Sequence, residues 1–84
     1  MNKKIMFFTA PWCQGCKTLK PFTEKVKDQV EVEYIDVEQQ PQAAEEYGIT
    51  NLPTLYFVHD GELVHHYTGA SERIIKEIQR FAEG

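Results

Sequence analysis

Along this chain the spacing of apolar residues changes repeatedly, and each change marks an element. Residues 4 to 9 form a short run of apolar and β-favouring side chains without alternation, Ile5-Met6-Phe7-Phe8 at its centre, which predicts a central strand covered on both faces. Cys16, Leu19, Phe22 and Val26 then repeat at helical spacing, with Lys17, Lys20, Glu24 and Lys27 on the outer side. Pro21 falls inside that helix, removes one backbone hydrogen bond and predicts a kink that separates the first turn from the rest. Val30-Glu31-Val32-Glu33-Tyr34 alternates strictly, the pattern of a strand with one exposed face at a sheet edge.

Pro41 opens and Gly48 closes a short helix over residues 42 to 47. Thr54-Leu55-Tyr56-Phe57-Val58 and Glu62-Leu63-Val64-His65-His66-Tyr67 flank Asp60-Gly61, which predicts a tight antiparallel hairpin. Ser71 is placed to cap a last helix, with Glu72 in its first turn and Ile74, Ile75, Ile78, Phe81 and Ala82 as the buried stripe. The order is β-α-β-α-β-β-α, an α/β fold with a four-stranded mixed sheet flanked by three helices. Strands joined through a helix are expected to be parallel with a right-handed crossover, and the closing hairpin adds antiparallel strands. No repeat, low-complexity tract or linker interrupts it, so residues 1–84 read as one domain.

Composition narrows the function. Hydrophobic residues at 42%, with five Phe, four Tyr and one Trp, suffice for a packed interior. A formal charge of −4 argues against nucleic acid as the main partner, because neutralising phosphates needs clustered Lys and Arg. The lysines of the first third are interleaved with apolar and acidic positions, as on a solvated helix face. No stretch resembles a signal peptide or approaches the roughly 20 apolar residues that span a bilayer, so no membrane association and a reducing, cytoplasmic location are expected.

The chemistry sits in Trp12-Cys13-Gln14-Gly15-Cys16, which holds both cysteines and the only tryptophan at a strand-to-helix junction. Cysteines three apart in a first helical turn lie on one face, within reach of a disulfide. The unpaired N–H groups and positive dipole end there favour a thiolate, which makes Cys13 the expected nucleophile. Cys16, in line with Leu19, is expected to be the less exposed partner that resolves a mixed disulfide. Two other roles weigh less. A zinc site needs four ligands, and the chain adds only His59, His65 and His66 without finger spacing. A structural disulfide closing so short a loop removes little chain entropy and does not persist in a reducing cell.

Taken together these motifs make the whole chain resemble the thioredoxin superfamily. Trp12-Cys13-Gln14-Gly15-Cys16-Lys17 is similar to the thioredoxin active-site stretch, and Pro21, five residues past Cys16, matches the kinking proline of that family. Residues 48 to 55, Gly-Ile-Thr-Asn-Leu-Pro-Thr-Leu, resemble the segment with the cis-proline. Gly69 lies sixteen residues after Pro53, where thioredoxins place a glycine beside the active site. The resemblance implies a cis Leu52-Pro53 bond, with Pro53 against the Cys13–Cys16 disulfide, the Leu52 backbone turned outward to pair with an extended substrate segment, and Trp12 and Gly69 on the same binding surface.

The departures are as informative. Thioredoxins usually have Gly-Pro between the cysteines where this chain has Gln14-Gly15, which is expected to loosen the helix start. They carry a buried aspartate six positions before the first cysteine, where Phe7 stands here, so proton transfer needs another route, such as water. Their first strand and helix have no counterpart, which gives a glutaredoxin-like outline. Yet the Thr-Val-Pro and Gly-Gly-Asp signals of glutaredoxins read Asn51-Leu52-Pro53 and Gly69-Ala70-Ser71-Glu72 here.

The expected function is therefore reduction of protein disulfides by a Cys13/Cys16 dithiol, with no cofactor beyond that redox-active pair. Disulfide-containing proteins are the expected substrates, a thioredoxin reductase or glutathione the electron donor, and a monomer the expected state. The rival readings are a glutathione-linked glutaredoxin, which could hold an iron–sulfur cluster between two chains, and a docking subunit with an incidental redox pair. Trp12 could equally fill a loop rim, and Lys17 either supports the Cys13 thiolate or contacts only water. His65 and His66 point to opposite faces of a strand and cannot share one site. Asp36 lacks the Gly-rich loop of nucleotide-binding folds.

Overall fold

A computed structural model describes residues 2–84. Its elements follow the predicted order: β1 (Lys3–Thr9), α1 (Gln14–Lys25), β2 (Glu31–Asp36), α2 (Pro41–Glu46), β3 (Thr54–His59), β4 (Glu62–Thr68) and α3 (Glu72–Glu83). The four strands form one mixed sheet in the order β2-β1-β3-β4. β1 runs parallel to β2 and antiparallel to β3, and β3 and β4 are antiparallel. The unalternated run is thus central and the alternating run lies at an edge.

The two faces of the sheet carry unequal cover. On one, Ile5, Phe7, Leu55 and Phe57 pack with Leu19 and Val26 of the α1 segment and with Ile74 and Ile78 of α3. On the other, Met6, Phe8 and Ile35 are covered by the short α2 and the loops on either side of it, through Val37, Ala43, Ile49 and Leu52. Phe8, Tyr47 and Tyr56 form an aromatic trio there, with centroids 5.4 to 5.5 Å apart. Ile35 reaches this second core because β2 continues past the alternating stretch.

α1 runs unbroken from Gln14 to Lys25 with Pro21 inside it, so the carbonyl of Lys17 lacks its helical donor. Its buried stripe differs from the one predicted. Thr23, at 0% exposure, takes the place expected for Phe22, which is only half-buried. The 3-4-3 spacing of Cys16, Leu19, Thr23 and Val26 follows a helical face more closely than one through Phe22. The hydroxyl of Thr23 lies 3.0 Å from the Lys20 carbonyl and 2.8 Å from the Tyr34 hydroxyl, which offsets the cost of burying it.

The hairpin turn is as read: Asp60 (φ 52°) and Gly61 (φ 85°) both adopt the left-handed conformation that a two-residue turn between twisted strands requires. Phe57 pairs with His65 but Val58 with Leu63, which leaves Val64 unpaired in a bulge. His65 and His66 are both exposed on this edge strand. Ser71 caps α3, its Oγ accepting the Ile74 N–H at 3.4 Å, and Phe81 stacks on Phe57 at 4.7 Å.

Candidate active site

β1 delivers the chain to the rim of the sheet and α1 starts within a few residues, the turn closed by the Cys13 N–H bonding the Ala10 carbonyl at 3.1 Å. Cys13 is the N-cap of α1, with extended backbone (φ −84°, ψ 107°), and its Sγ accepts the backbone N–H of Cys16 at 3.1 Å. A sulfur thus occupies the position that Ser or Asp takes in ordinary caps, where orphan N–H groups and the helix dipole favour negative charge. Cys13 and Cys16 are joined as a disulfide with Cα atoms 5.3 Å apart.

Within the disulfide both residues are almost equally covered, 5% exposed for Cys13 and 4% for Cys16, so burial does not set them apart as expected. Their neighbours do. Cys13 Sγ meets an N–H donor, which stabilises a thiolate, whereas Cys16 Sγ lies 3.9 Å from the carbonyl oxygen of Phe8, which repels one and accepts from a thiol. The asymmetry is electrostatic.

Two distant segments close over the pair. The Leu52-Pro53 bond is cis, and the Pro53 carbonyl accepts the Gly69 N–H at 2.9 Å, joining the loop before β3 to the end of β4. Gly69 has φ 107°, a conformation that favours glycine. The side chain of Thr54 bonds the Asn51 carbonyl at 2.6 Å and tightens the same loop.

Gly15, between the cysteines, lies against both segments. A Cβ on it would stand 2.9 Å from Pro53 Cδ and 3.3 Å from Ala70 Cβ. Gly15 therefore permits a close approach rather than merely loosening the helix. Neither Gly15 nor Ala70 was among the candidate residues, although a glycine inside a helical pattern is itself a signal of close approach.

Trp12 is 65% exposed, and its indole N–H donates to the Glu38 carboxylate just beyond β2. With Val37, Ile49 and Leu52 it borders an open groove of about 460 Å³ beside the disulfide. The glutamate partner was not read from the sequence, since Glu38 lies 26 residues away with no local pattern linking the two. The structure thus gathers Trp12, Cys13, Cys16, Leu52, Pro53 and Gly69 at one end of the sheet. Among the described residues no three His, Cys, Asp or Glu side chains are grouped to hold a metal ion, and no helix is long and apolar enough to cross a membrane.

Comparison with known proteins agrees with this geometry. The family model for Thioredoxin matches residues 1–81. The thioredoxin of Methanocaldococcus jannaschii is 40% identical over 81 residues, covering 92% of this chain and 93% of that protein. Thioredoxin 1 of Synechococcus elongatus is 36% identical over 70 residues, 79% of this chain and 65% of the relative, so the chain spans just under two thirds of that longer protein. The X-ray structure of Fasciola hepatica thioredoxin superposes with a TM-score of 0.82 at 33% identity, covering 95% of this chain and 81% of that one.

Proposed function

We infer the working of the site from one premise: the chain belongs to the thioredoxin family. It is a dithiol oxidoreductase that reduces protein disulfides through Cys13 and Cys16. The Cys13 thiolate attacks a substrate disulfide and forms a mixed disulfide, releasing one substrate thiolate. Cys16 then attacks Cys13 Sγ, closes the intramolecular disulfide and releases the second thiolate, so that the substrate gains two electrons and the pair loses them. The observation that carries this assignment of roles is the N–H bond to Cys13 Sγ set against the carbonyl facing Cys16 Sγ.

Trp12, Leu52, Pro53 and Gly69 form the substrate surface. The exposed indole and the neighbouring groove support this, since they offer an apolar seat for a residue flanking the target cysteine, while the backbone of exposed Asn51 and half-buried Leu52 offers strand-like pairing. The electrons pass through the cysteine pair without a bound cofactor. The pair is recharged in a reducing, cytoplasmic setting by a flavin-dependent reductase or by glutathione, with the protein acting as a monomer. The glutaredoxin reading is not favoured, given relatives that are thioredoxins.

Cys13→Ser is expected to abolish turnover and Cys16→Ser to leave substrate covalently trapped on Cys13, both read by intact mass after acid quenching. A Cys13→Ser protein that still reduced disulfides at the normal rate would overturn the roles. Equilibration against glutathione buffers adds the direction of use: a two-electron transition near about −270 mV marks a general reductant, and one at about −200 to −230 mV a glutathione-coupled protein.

A further inference from the structure

Resolution of the mixed disulfide requires Cys16 to lose a proton. The carbonyl of Phe8 beside its sulfur can accept that proton's hydrogen bond but cannot remove it. The strand beneath supplies no acid–base group either, because Phe7 fills the core position below the helix start.

What the structure does provide is a groove of about 250 Å³ on the flank of α1, bordered by Cys16, Thr9, Lys17, Lys20, Tyr34 and Asp36. At about 30 Å³ per water it has room for several waters. Among the described residues that line it, Asp36 is the only carboxylate. The placement follows from the sheet: Thr9 pairs with Asp36 and Phe7 with Tyr34 in the β1–β2 register, and the Phe7 and Tyr34 rings lie 5.3 Å apart on the face that α1 covers. Two residues further along each strand, Thr9 and Asp36 share that face at the end where α1 begins. The carboxylate is also held in place. Its Oδ1 accepts the N–H groups of Glu38 at 2.8 Å and Gln39 at 3.3 Å, which leaves Oδ2 without a hydrogen-bond partner among the described residues.

We propose that Asp36 accepts the Cys16 proton through water in this groove during resolution of the mixed disulfide. It is a positioning and proton-relay group, not one that touches substrate. The Cys16 S–H bond breaks and the proton passes through water to the Asp36 carboxylate. The Cys16 thiolate attacks Cys13 Sγ, the Cys13–Cys16 bond forms and the bond to the substrate sulfur breaks. The departing thiolate takes up a proton from water, and Asp36 returns its own to solvent. Lys17 and Lys20 of α1 are the cations facing the groove and Tyr34 of β2 its other titratable group, while β1 contributes only the uncharged Phe7 and Thr9.

The proposal rests on the dithiol reading above, and one experiment separates the two. Reduced protein is mixed in a stopped-flow instrument with an aromatic disulfide that releases a coloured thiolate. The first release reports attack by Cys13 and the second reports resolution by Cys16. With a carboxylate acting as base, the second rate stays nearly level through neutral pH. Without it only pre-ionised Cys16 reacts, and for a thiol of pKa about 8.5 the rate falls tenfold per pH unit below that value. Asp36→Asn, which retains Oδ1 for the two N–H groups, is expected to leave the first phase unchanged and to slow the second about tenfold or more at mildly acid pH. The two proteins should converge at alkaline pH. Asp36→Glu is expected to restore a level profile. An unchanged second phase in Asp36→Asn would overturn the proposal, as would equal slowing of both phases with no change in pH slope. A wild-type protein giving no second phase would instead refute the dithiol reading itself.

Discussion

Replacing Gly15 with alanine tests how tightly the active site is closed. The added Cβ would sit 2.9 Å from Pro53 Cδ and 3.3 Å from Ala70 Cβ. The favourable carbon–carbon separation is about 3.5 to 4.0 Å, so the first contact alone demands a shift of roughly half an ångström or more. Neither neighbour is the free end of a flexible chain. Pro53 is a buried ring whose carbonyl is bonded to Gly69, and Ala70 follows directly on that residue. Overpacking of this kind costs about 1 to 3 kcal/mol. Alanine in a helix interior recovers up to about 1 kcal/mol over glycine, less in a first turn. The net expectation is a loss of about 1 to 2 kcal/mol. For a domain of this size that lowers the melting temperature by roughly 4 to 16 °C, at about 4 to 8 °C per kcal/mol. Thermal and urea unfolding of the oxidised protein measure it, with exposed Gln14→Ala as the neighbouring control. Adding Ala70→Gly should return only part of the loss, because Pro53 remains. A Gly15→Ala protein as stable as the parent, or more so, would refute the argument, since helix propensity would then have outweighed the contact.

Two further outcomes follow from the core. Burial first, and then the Glu24 carboxylate that accepts its O–H, push the Tyr34 phenol up to about 12. An ultraviolet titration should show a late phenolate step that Tyr34→Phe removes. Since the folded state keeps a proton that the unfolded chain loses near its ordinary value of about 10, this contribution to stability is full below that pH and lost as pH rises toward 12. Leu19→Ala, at a site with 0% exposure, is expected to cost about 2 to 5 kcal/mol in urea unfolding while leaving the cysteines able to form their disulfide.

Element type and order were legible because the period of the apolar pattern changes cleanly from the run at Ile5–Phe8 to the helical stripe and then to the alternation of β2. The site was legible in its covalent part, since two cysteines three apart beside a helix start admit few geometries. Pro53 and Gly69 came from family spacing, not from their local sequence. What stayed hidden was contact between distant segments. Nothing near Gly15 announces Pro53, nothing near Trp12 announces Glu38, and Asp36 reaches the Cys16 groove only through the β1–β2 register. Thr23 stayed hidden for a different reason: a stripe traced through apolar residues passes over a hydroxyl, and here two hydrogen-bond partners let that hydroxyl sit in the core.

The distribution of the site along the chain has a consequence for biogenesis. Cys13 and Cys16 are made early, but β1 cannot complete its pairing until His59 has emerged to meet Lys3, and Gly15 has nothing to lean on before Pro53 and Ala70 exist. With long-range pairing arriving last, the two thiols spend the period of synthesis in an incomplete fold. Their pairing needs no guidance, because they are the only cysteines and are near neighbours in sequence. What maturation adds is enclosure: the cap of Cys13 and the carbonyl beside Cys16 are local to β1 and α1, whereas the contacts of Gly15 with Pro53 and Ala70 form only when those later segments have closed over the pair.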